Sequence, residues 1–524
     1  MRMRIRLLRA AGLLSLLLFS SLCFASAYDG RPKLIVIIVA DQFRADFLDR
    51  HRAAFGPGGF NTFLERGAVF TDCRYDYAVT VTAPGYTTLL TGAYPDGHGI
   101  NNNYWWDSKR KRMVAAEEDD ATTGLGVNNN GSPHNLLAST LGDELKLATG
   151  GKSRVFAVSL KRRAAILPGG HAANAAYWVD DSTGAFVTSS FYMKDLPEWV
   201  KAFNSGGRLE KYRNLEWKDA AGKTLRTTSA PGKFKDSIAE TPFATEYELE
   251  FARQLISEEK LGSGPATDLL ILSLSAPDHL GHRVGPDSPE IASMILALDH
   301  QLGEFFAYLG RQLGLANVWL AFSADHGIPP LPQTAWDAHL PATNVDVSAL
   351  IRKANAALAA RFNANAEYLA GIDWPVAYLS QEAFAAANIS EEQAEQVAGE
   401  ALVKLVAWDG FFTRYRIERG SLPPTALGRR YAHSFSSYGG WYVIGVPELY
   451  AEPIVRGTSH GSPWSYDTHV PLALYGVPFR PGVYRQTVEP VDLAPTLASL
   501  LGIAPPSHSV GRVLTEALTT GGAP

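Results

Sequence analysis

The chain has 524 residues, of which 46% are hydrophobic and 19% charged, and this composition excludes disordered, collagen-like and coiled-coil proteins. Its length favours one large domain, or one domain with a sizeable insertion. The formal charge of −5 offers no bulk attraction for nucleic acid, so we expect no specific nucleic-acid partner. Two cysteines cannot form a disulfide framework.

Residues 1–27 have the pattern of a secretory signal peptide. Four arginines precede an apolar run, residues 13–24, and Ala25-Ser26-Ala27 follows as a cleavage site. The run is shorter than the ~20 residues of a bilayer-spanning helix, so an uncleaved anchor is a less favoured alternative. A lipoprotein is less favoured again, because Leu22 precedes Cys23 where small residues are normal. We expect a secreted, periplasmic protein of residues 28–524 with no stable membrane span.

Five apolar runs predict strands that are buried on both faces of a sheet. They are residues 34–39, 155–160, 269–274, 318–322 and 470–475. Between the third and fourth runs, apolar residues recur at helical spacing over 288–309. Strand, helix and strand in this order are typical of a βαβ unit. The sequence therefore predicts an α/β fold with a mixed, mostly parallel sheet sandwiched by helices.

Two stretches interrupt this alternation. Residues of about 172–245 are rich in Trp, Lys and Gly, and residues of about 345–435 have the pattern of two helices with short strands. We interpret both as insertions that lie above the sheet and cap its ligand-binding edge.

Acidic residues and histidines stand at equivalent places relative to the predicted strands. Asp41 ends the first strand, Asp278 and His282 follow the third, Asp325 and His326 follow the fourth, and His460 precedes the fifth. Ligands bind beyond the carboxyl ends of strands in open α/β sheets, so we expect these residues to converge. Three Asp and three His suit two borderline divalent ions such as zinc. Taken one at a time, each of these acidic residues and histidines could instead be a helix cap, a turn residue or a structural histidine.

Thr82 stands at the expected start of a helix, with Pro84 in the first turn, where proline is tolerated. Free backbone N–H groups and the helix dipole there favour an anionic phosphoryl group. An ordinary cap is the commoner role of such a threonine, so its interpretation depends on the surrounding motif.

The segment from Thr82 to Gly92, with Tyr94-Pro95 and residues 98–103, resembles the threonine-nucleophile branch of the alkaline phosphatase superfamily. This branch also contains the nucleotide pyrophosphatases/phosphodiesterases. In it, an Asn 21 residues after the nucleophilic Thr binds phosphate, and Asn103 has this spacing from Thr82. Asp-x-x-Gly-His at 278–282, Asp-His-Gly at 325–327 and His-Gly at 460–461 agree. The resemblance covers about residues 33–512.

The resemblance also implies how two zinc ions would be held. One ion would bind Asp41, Asp325 and His326 and lie against Thr82, and the other would bind Asp278, His282 and His460. Manganese or iron at one position is also chemically possible.

Two further residues bear on the choice of metal ligands. His469 is an alternative to His460, which we prefer for its His-Gly context, so we interpret His469 as structural or as a neighbour of the ligands. Tyr86 stands where many relatives carry a histidine, and we do not expect it to bind metal.

Residues 142–146 and 158–168 resemble the PafA-type periplasmic alkaline phosphatases, in which a Lys-x-Arg pair reaches over the active site. The residues of this sequence that match the pair are Lys161 and Arg163. Their charge-assisted hydrogen bonds would favour the dianion of a phosphate monoester. A solvated basic turn is the alternative, and the direction of Arg162 is left open.

The resemblance therefore implies an alkaline phosphatase that hydrolyses small phosphate monoesters through a phosphothreonine intermediate. The nearest alternative is a phosphodiesterase or nucleotide pyrophosphatase of the same fold, in which Lys161 and Arg163 are incidental. A non-catalytic metal- or anion-binding scaffold is an alternative of another class. A phosphomutase is disfavoured in a secreted chain, and a sulfatase because Cys73 lacks the Cys-x-Pro-x-Arg context. The physiological substrate and the choice between monomer and dimer stay open.

Overall fold

In this computed structural model, the described residues are 30–228, 234, 238–364, 366–454 and 456–519. The predicted signal peptide, residues 1–27, lies outside them. Within these ranges, every helix is too short or too polar to cross a bilayer.

The described residues form a large sheet, four smaller sheets and flanking helices. In chain order, the strands are β1 (Leu34–Ala40), β2 (Ala68–Arg74), β3 (Tyr104–Asp107), β4 (Arg112–Ala115), β5 (Gly124–Leu125), β6 (Val155–Ser159), β7 (Ala175–Val179), β8 (Phe186–Ser189), β9 (Glu216–Lys218), β10 (Thr224–Thr227), β11 (Asp268–Leu274), β12 (Val318–Ser323), β13 (Thr343–Asn344), β14 (Leu369–Asp373), β15 (Val376–Leu379), β16 (Trp408–Thr413), β17 (Tyr442–Pro447), β18 (Ala451–Glu452), β19 (His469–Tyr475) and β20 (Gly482–Val488).

The α-helices are α1 (Asp46–His51), α2 (Asn61–Arg66), α3 (Thr82–Thr91), α4 (Pro95–His98), α5 (Leu141–Ala148), α6 (Arg162–Gly169), α7 (Glu198–Ser205), α8 (Pro242–Glu258), α9 (Ala276–Val284), α10 (Pro289–Leu313), α11 (Pro332–Asp337), α12 (Val347–Phe362), α13 (Gln381–Ala386), α14 (Glu391–Val403), α15 (Arg414–Glu418), α16 (Ala426–His433), α17 (Ser465–Thr468) and α18 (Leu493–Leu501).

The large sheet has ten strands in the order β20-β2-β19-β12-β1-β11-β6-β7-β8-β5. Its centre, from β12 through β1, β11 and β6 to β7, is parallel. Strand β1 is buried along its whole length, because a neighbour pairs with each of its edges and helices cover its faces. The predicted α/β fold with a mixed, mostly parallel sheet is confirmed.

Strand β19 runs antiparallel to both of its neighbours, β12 and β2. Its amino end therefore lies at the edge where β1, β11 and β12 have their carboxyl ends. The sequence pattern predicts this strand but not its direction. The direction matters, because it brings a residue that precedes β19 to the same edge as residues that follow the parallel strands.

Helix α10 occupies the range in which a helix was expected, and it extends a turn further at its carboxyl end. It begins where Ser288 Oγ accepts a hydrogen bond from the N–H of Ile291 at 3.2 Å. The apolar stripe from Ile291 to Leu309 is buried in the main hydrophobic core.

The two predicted insertions differ in their relation to the sheet. Strands β7 and β8, within the range 172–245, belong to the ten-stranded sheet rather than to a layer above it. Strand β7 is a short apolar run that pairs with β6, and β8 pairs with β7, so both lie in the main hydrophobic core. Strands β14, β15 and β16, within 345–435, join β17 in a separate four-stranded sheet, in the order β14-β15-β17-β16, that has its own hydrophobic cluster with α12 and α14. The insertion boundaries stay a prediction.

Candidate active site

The carboxyl ends of three parallel strands bring three carboxylates together. Asp41 follows β1, Asp278 lies in the first turn of α9 after β11, and Asp325 follows β12. All three side chains are buried, with Asp41 and Asp325 fully inaccessible. Burial and the neighbouring Asp278 raise the pKa of Asp41 to about 6, which reflects the cost of placing like charges side by side.

Two groups of donor atoms meet the geometry of a metal site. In the first, ligand atoms of Asp278, His282 and His460 lie within 4.8 Å of one another. His282 follows Asp278 by one helical turn, and its Nε2 lies 3.1 Å from Asp278 Oδ1. His460 Nε2 approaches the same oxygen at 3.8 Å.

The second group joins Asp41, Asp278 and His326 within the same limit. Asp325 adjoins this group, because its Oδ2 lies 3.3 Å from His326 Nε2, while Asp41 Oδ1 lies 3.5 Å from the same nitrogen. The rings of His326 and His460 stack with centroids 3.6 Å apart, so the two groups are contiguous.

The three histidines are oriented as metal ligands. Each has its Nδ1 at 2.9 Å from a backbone carbonyl: His282 from Thr458, His326 from Gly327 and His460 from Thr80. Because a carbonyl only accepts, each Nδ1 carries the proton and leaves the Nε2 lone pair free for a cation. Burial lowers the pKa of His326 to about 3, so this imidazole is neutral.

Unsatisfied buried atoms also fit a divalent cation. Asp41 Oδ1, Asp325 Oδ2 and His326 Nε2 are buried without a hydrogen-bond partner. Such atoms are costly unless something binds them, and these three point toward one another. The donor set of carboxylate oxygens and imidazole nitrogens is one that zinc accepts.

Lys161 lies between the two donor groups. It precedes α6, and its Nζ donates to Asp41 Oδ2 at 2.6 Å and to Asp278 Oδ2. Although burial lowers it, the carboxylates of Asp278 and Asp41 raise the pKa of Lys161 above its usual range. The ammonium is therefore a fixed positive charge beside the metal donors.

Thr82 is the first residue of α3 and is 3% exposed. The N–H of Ala83 donates to Asn103 Oδ1 at 2.9 Å, so the Asn103 side chain is fixed at this helix start. Thr82, Asn103, Lys161 and Arg163 line one cavity of about 680 Å³ together with Asp278, His282 and His460. The structure thus brings the proposed nucleophile, phosphate ligands and metal donors to one place.

Arg163 is held by residues that the sequence analysis did not single out. Its Nη2 donates to Tyr104 Oη at 2.9 Å, and its guanidinium lies 5.2 Å from the Tyr104 ring centroid. The Tyr104 N–H donates to Asp373 Oδ2 at 2.9 Å. Burial raises the pKa of Asp373 to about 6. Tyr104 could have been suspected because it follows Asn103, but Asp373 lies 270 positions away and had no signal.

The neighbouring Arg162 has a separate role. Its Nε donates to Glu117 Oε1 at 2.8 Å and its Nη1 donates to the Asn130 carbonyl at 2.8 Å. Arg162 is therefore held in the cavity wall, which answers the question that the sequence left open.

Neither Tyr86 nor His469 joins the donor groups found in the described residues. Tyr86 Oη accepts a hydrogen bond from Ser273 Oγ at 2.6 Å and donates to the Val39 carbonyl. His469 Nε2 lies 3.0 Å from the carbonyl of Thr71.

The arrangement defines a class of protein. A hydroxyl at a helix start and a cationic pair that line one cavity with groups of carboxylate and histidine donors are the parts of a hydrolase that transfers a phosphoryl group. The sheet and its ligand edge are those of the alkaline phosphatase superfamily.

Comparisons with known proteins place the chain within that class. The sequence model of the type I phosphodiesterase / nucleotide pyrophosphatase family matches residues 35–404, and the chain belongs to this family. Among curated relatives, alkaline phosphatase PhoV of Synechococcus elongatus is 33% identical, with 93% of each chain covered. Alkaline phosphatase PafA of Elizabethkingia meningoseptica is 32% identical over 93% of this chain and 95% of the relative. A Myroides odoratus protein named calcium-transporting ATPase is 33% identical over 95% and 97% of the two chains.

The crystal structure of PafA matches with a TM-score of 0.84 and 31% identity, covering 93% of this chain and 99% of that one. A second PafA structure, with a TM-score of 0.83, carries replacements of a Thr, an Asn, a Lys and an Arg. The replaced Thr and Asn are 21 positions apart, as are Thr82 and Asn103, and the Lys and Arg have the Lys-x-Arg spacing of Lys161 and Arg163. Within its family the chain is an enzyme of the alkaline phosphatase type, close to PafA and PhoV.

Proposed function

We propose that this protein is a secreted, periplasmic alkaline phosphatase that hydrolyses small phosphate monoesters at a di-zinc centre. The observation that carries the proposal is one cavity that Thr82, Asn103, Lys161 and Arg163 share with the donor group of Asp278, His282 and His460. The similarity to two relatives named alkaline phosphatases supports it.

The donor residues fit two zinc ions. Asp41, Asp325 and His326 would hold one ion next to Thr82, and Asp278, His282 and His460 would hold the other. When bound, zinc supplies Lewis acidity, which lowers the pKa of a hydroxyl and stabilises charge on phosphoryl and leaving-group oxygens. The neutral His326, with its Nε2 free, matches the protonation state that a ligand needs.

Thr82 Oγ is placed to attack the phosphorus of a bound monoester. The Oγ–P bond forms while the bond from phosphorus to the ester oxygen breaks, the hydroxyl proton leaves to solvent, and the departing alcohol oxygen takes up a proton. Water then attacks the phosphothreonine, which releases inorganic phosphate and restores the hydroxyl.

Asn103, Lys161 and Arg163 bind the oxygens that are not transferred. Asn103 Oδ1 is already bonded to Ala83, so its Nδ2 remains to donate to phosphate. A monoester dianion has one more anionic oxygen than a diester, and the buried ammonium and guanidinium favour that extra charge. These donors act where charge accumulates in a loose phosphoryl-transfer transition state.

The second candidate function is that of a phosphodiesterase, and the match to the type I phosphodiesterase / nucleotide pyrophosphatase family supports it. It would use the same Thr82 and metal donors, but would gain nothing from Lys161 and Arg163. A scaffold without turnover would bind zinc and phosphate but release no product. The decisive quantity is therefore the ratio of monoester to diester hydrolysis.

The test compares kcat/KM for a matched aryl phosphate monoester and diester, using zinc-loaded mature protein. The wild type should prefer the monoester. The Lys161→Ala/Arg163→Ala variant should lose that preference, by about 10²–10³-fold for each donor removed, while it keeps diester hydrolysis. Arg485→Ala/Lys353→Ala, which removes two exposed positive charges on β20 and α12, serves as the control for net charge.

A diester preference that the double variant leaves unchanged would contradict the phosphatase assignment. Zinc binding without phosphate release from either ester would identify a scaffold. Metal analysis of the purified protein checks for two equivalents of zinc, and fractionation of the producing cell checks the periplasmic location.

A further inference from the structure

Gln42 is the residue immediately after Asp41, and its backbone is unusual. Its φ is +65°, in the left-handed region that non-glycine residues seldom adopt. The turn is held from both sides. The Asp41 N–H donates to the Leu274 carbonyl at 3.0 Å, and the buried Phe43 ring packs against Phe322 with centroids 5.2 Å apart. Strain that is held in this way is typical of functional positions.

Gln42 donates to two ligand carboxylates that belong to different loops. Its side-chain Nε2 donates to Asp278 Oδ1 at 2.8 Å, and its backbone N–H donates to Asp325 Oδ1 at 3.0 Å. The residue is 2% exposed, so water does not compete for these bonds. One residue thus connects the donor group of His282 and His460 with the donor group of His326.

The bond to Asp325 selects which oxygen faces the cation. Asp325 Oδ1 accepts from both Gln42 and the N–H of His326, each at 3.0 Å. Its Oδ2 is left buried without a protein partner and beside His326 Nε2. Because Oδ1 is saturated, Oδ2 is the oxygen available for metal.

The space around the amide fixes its orientation. An added Cβ at Gly281, on α9, would lie 2.0 Å from Gln42 Oε1, so the amide in its present position packs closely against this glycine. The carboxylate of Asp278 can only accept, which requires the NH₂ end of the amide to face it. The side chain therefore stands in a slot with its donor toward the metal ligand.

We propose that Gln42 is a positioning residue that fixes the ligand carboxylates of both metal positions and so sets how tightly zinc is held. This inference rests on the zinc centre of the proposed function. Three carboxylates converge here, and Lys161 gives hydrogen bonds to two of them, Asp41 and Asp278. Gln42 supplies two further donors that orient Asp278 and Asp325 without adding charge that would repel a cation. Partners of this kind usually change metal affinity by about 10–100-fold.

The test uses Gln42→Gly, which relieves the left-handed backbone and keeps the N–H bonded to Asp325, but removes the amide from Asp278. Zinc-free protein is titrated with zinc alone against a competing chromophoric chelator. We expect one of the two zinc equivalents to bind about 10–100-fold more weakly than in the wild type. The melting temperature of the zinc-free variant should not fall, because its backbone is less strained.

The matched control is Asn363→Gly, since Asn363 also has a left-handed backbone, with φ +51°, at the end of α12 away from the metal donors. Its zinc titration should equal that of the wild type. If Gln42→Gly binds both equivalents within twofold of the wild type, Gln42 does not position the ligands and the inference is wrong.

A second variant, Gln42→Met, keeps the length of the side chain and removes the donor facing Asp278 without adding a charge beside the cation. Zinc binding should again weaken at one equivalent, and binding equal to that of the wild type would overturn the role of the amide. The titration uses no substrate, so it separates the two proposals. If zinc affinity depends on Gln42 but the wild type releases no phosphate, the proposed function is wrong and the inference about Gln42 stands.

Discussion

The two sides of the active site are built differently. The proposed metal side combines carboxylates that are buried at the ends of central strands with three histidines whose Nδ1 atoms are fixed by backbone carbonyls. The phosphate side consists of Asn103, Lys161 and Arg163, which follow shorter elements. Of these, Arg163 depends on Tyr104, and Tyr104 depends on Asp373 from the four-stranded sheet.

This difference indicates which part of the site can change during evolution. Sheet topology determines the metal side, so replacing a ligand there removes chemistry that nothing else supplies. The phosphate side is assembled through contacts with a separate sheet, so changes there should alter substrate preference before they abolish turnover. The following experiments test this division.

Thr82, where the two sides meet, should give the largest effect. Thr82→Ala removes the proposed nucleophile, and kcat/KM should fall by about 10⁴–10⁶-fold, as when other nucleophiles are removed. Zinc content, measured by elemental analysis, should stay that of the wild type. Covalent phosphate retained elsewhere in the acid-quenched variant would contradict the assignment.

The effect of replacing Lys161 on the free energy of unfolding should depend on whether zinc is bound. Its ammonium bonds to Asp41 and Asp278. In zinc-free protein, Lys161→Ala removes this counter-charge and should lower the free energy of unfolding by about 3–5 kcal/mol, the usual cost of breaking a buried pair. With zinc bound the loss should be smaller, since the ions then supply positive charge. Urea unfolding with and without chelator measures both, and equal losses would argue against the pairing.

Tyr104 tests the phosphate side alone. Tyr104→Phe keeps the ring under the Arg163 guanidinium but removes the hydroxyl that accepts its hydrogen bond. Since such a bond to a charged group is worth about 1.5–3 kcal/mol, kcat/KM for a monoester should fall by about 10–100-fold. The diester reaction should change less and zinc binding not at all. An equal loss for both esters would mean that Tyr104 does not act through Arg163.

Asp373 should give the smallest effect, seen in the pH dependence of stability. Because burial raises its pKa to about 6 from a usual 3.8, the folded protein retains a proton that the unfolded chain has already lost. Its contribution to the free energy of unfolding therefore falls as pH rises from about 4 to 6. Asp373→Asn lacks this contribution, so its stability relative to the wild type should increase by on the order of 1–3 kcal/mol across that range. Parallel profiles from urea unfolding would contradict the pKa shift.

The same difference between the two sides of the site explains which parts of the fold and of the site the sequence predicts. Apolar runs mark β1, β11 and β12, since strands buried on both faces need continuous apolar residues. The residues that follow them, such as Asp41 and Asp325, are then placed by topology alone. The family resemblance added the pairing of Thr82 with Asn103, which composition does not contain.

Other features had no local signal. The direction of β19 is set by its neighbours, so the sequence could not explain why His460, which precedes a strand, meets residues that follow strands. The bond between Tyr104 and Asp373 joins distant segments through one carboxylate. Gln42 acts through a left-handed backbone, which a glutamine does not suggest. Strands β7 and β8 are short, and their place beside β6 is set by pairing that the sequence pattern does not show.

Strand β1 also constrains the order in which the molecule can fold. Its Leu34 pairs with Asp268 on one side and with Val318 on the other, so the central strand has its first partner only after about half of the chain has been synthesised. Contacts of such large sequence separation form slowly, because the intervening chain must first be closed into a loop. Asp41 and Gln42 therefore reach their final positions late, and the chain acquires its metal centre only when the rest of the sheet has closed around β1.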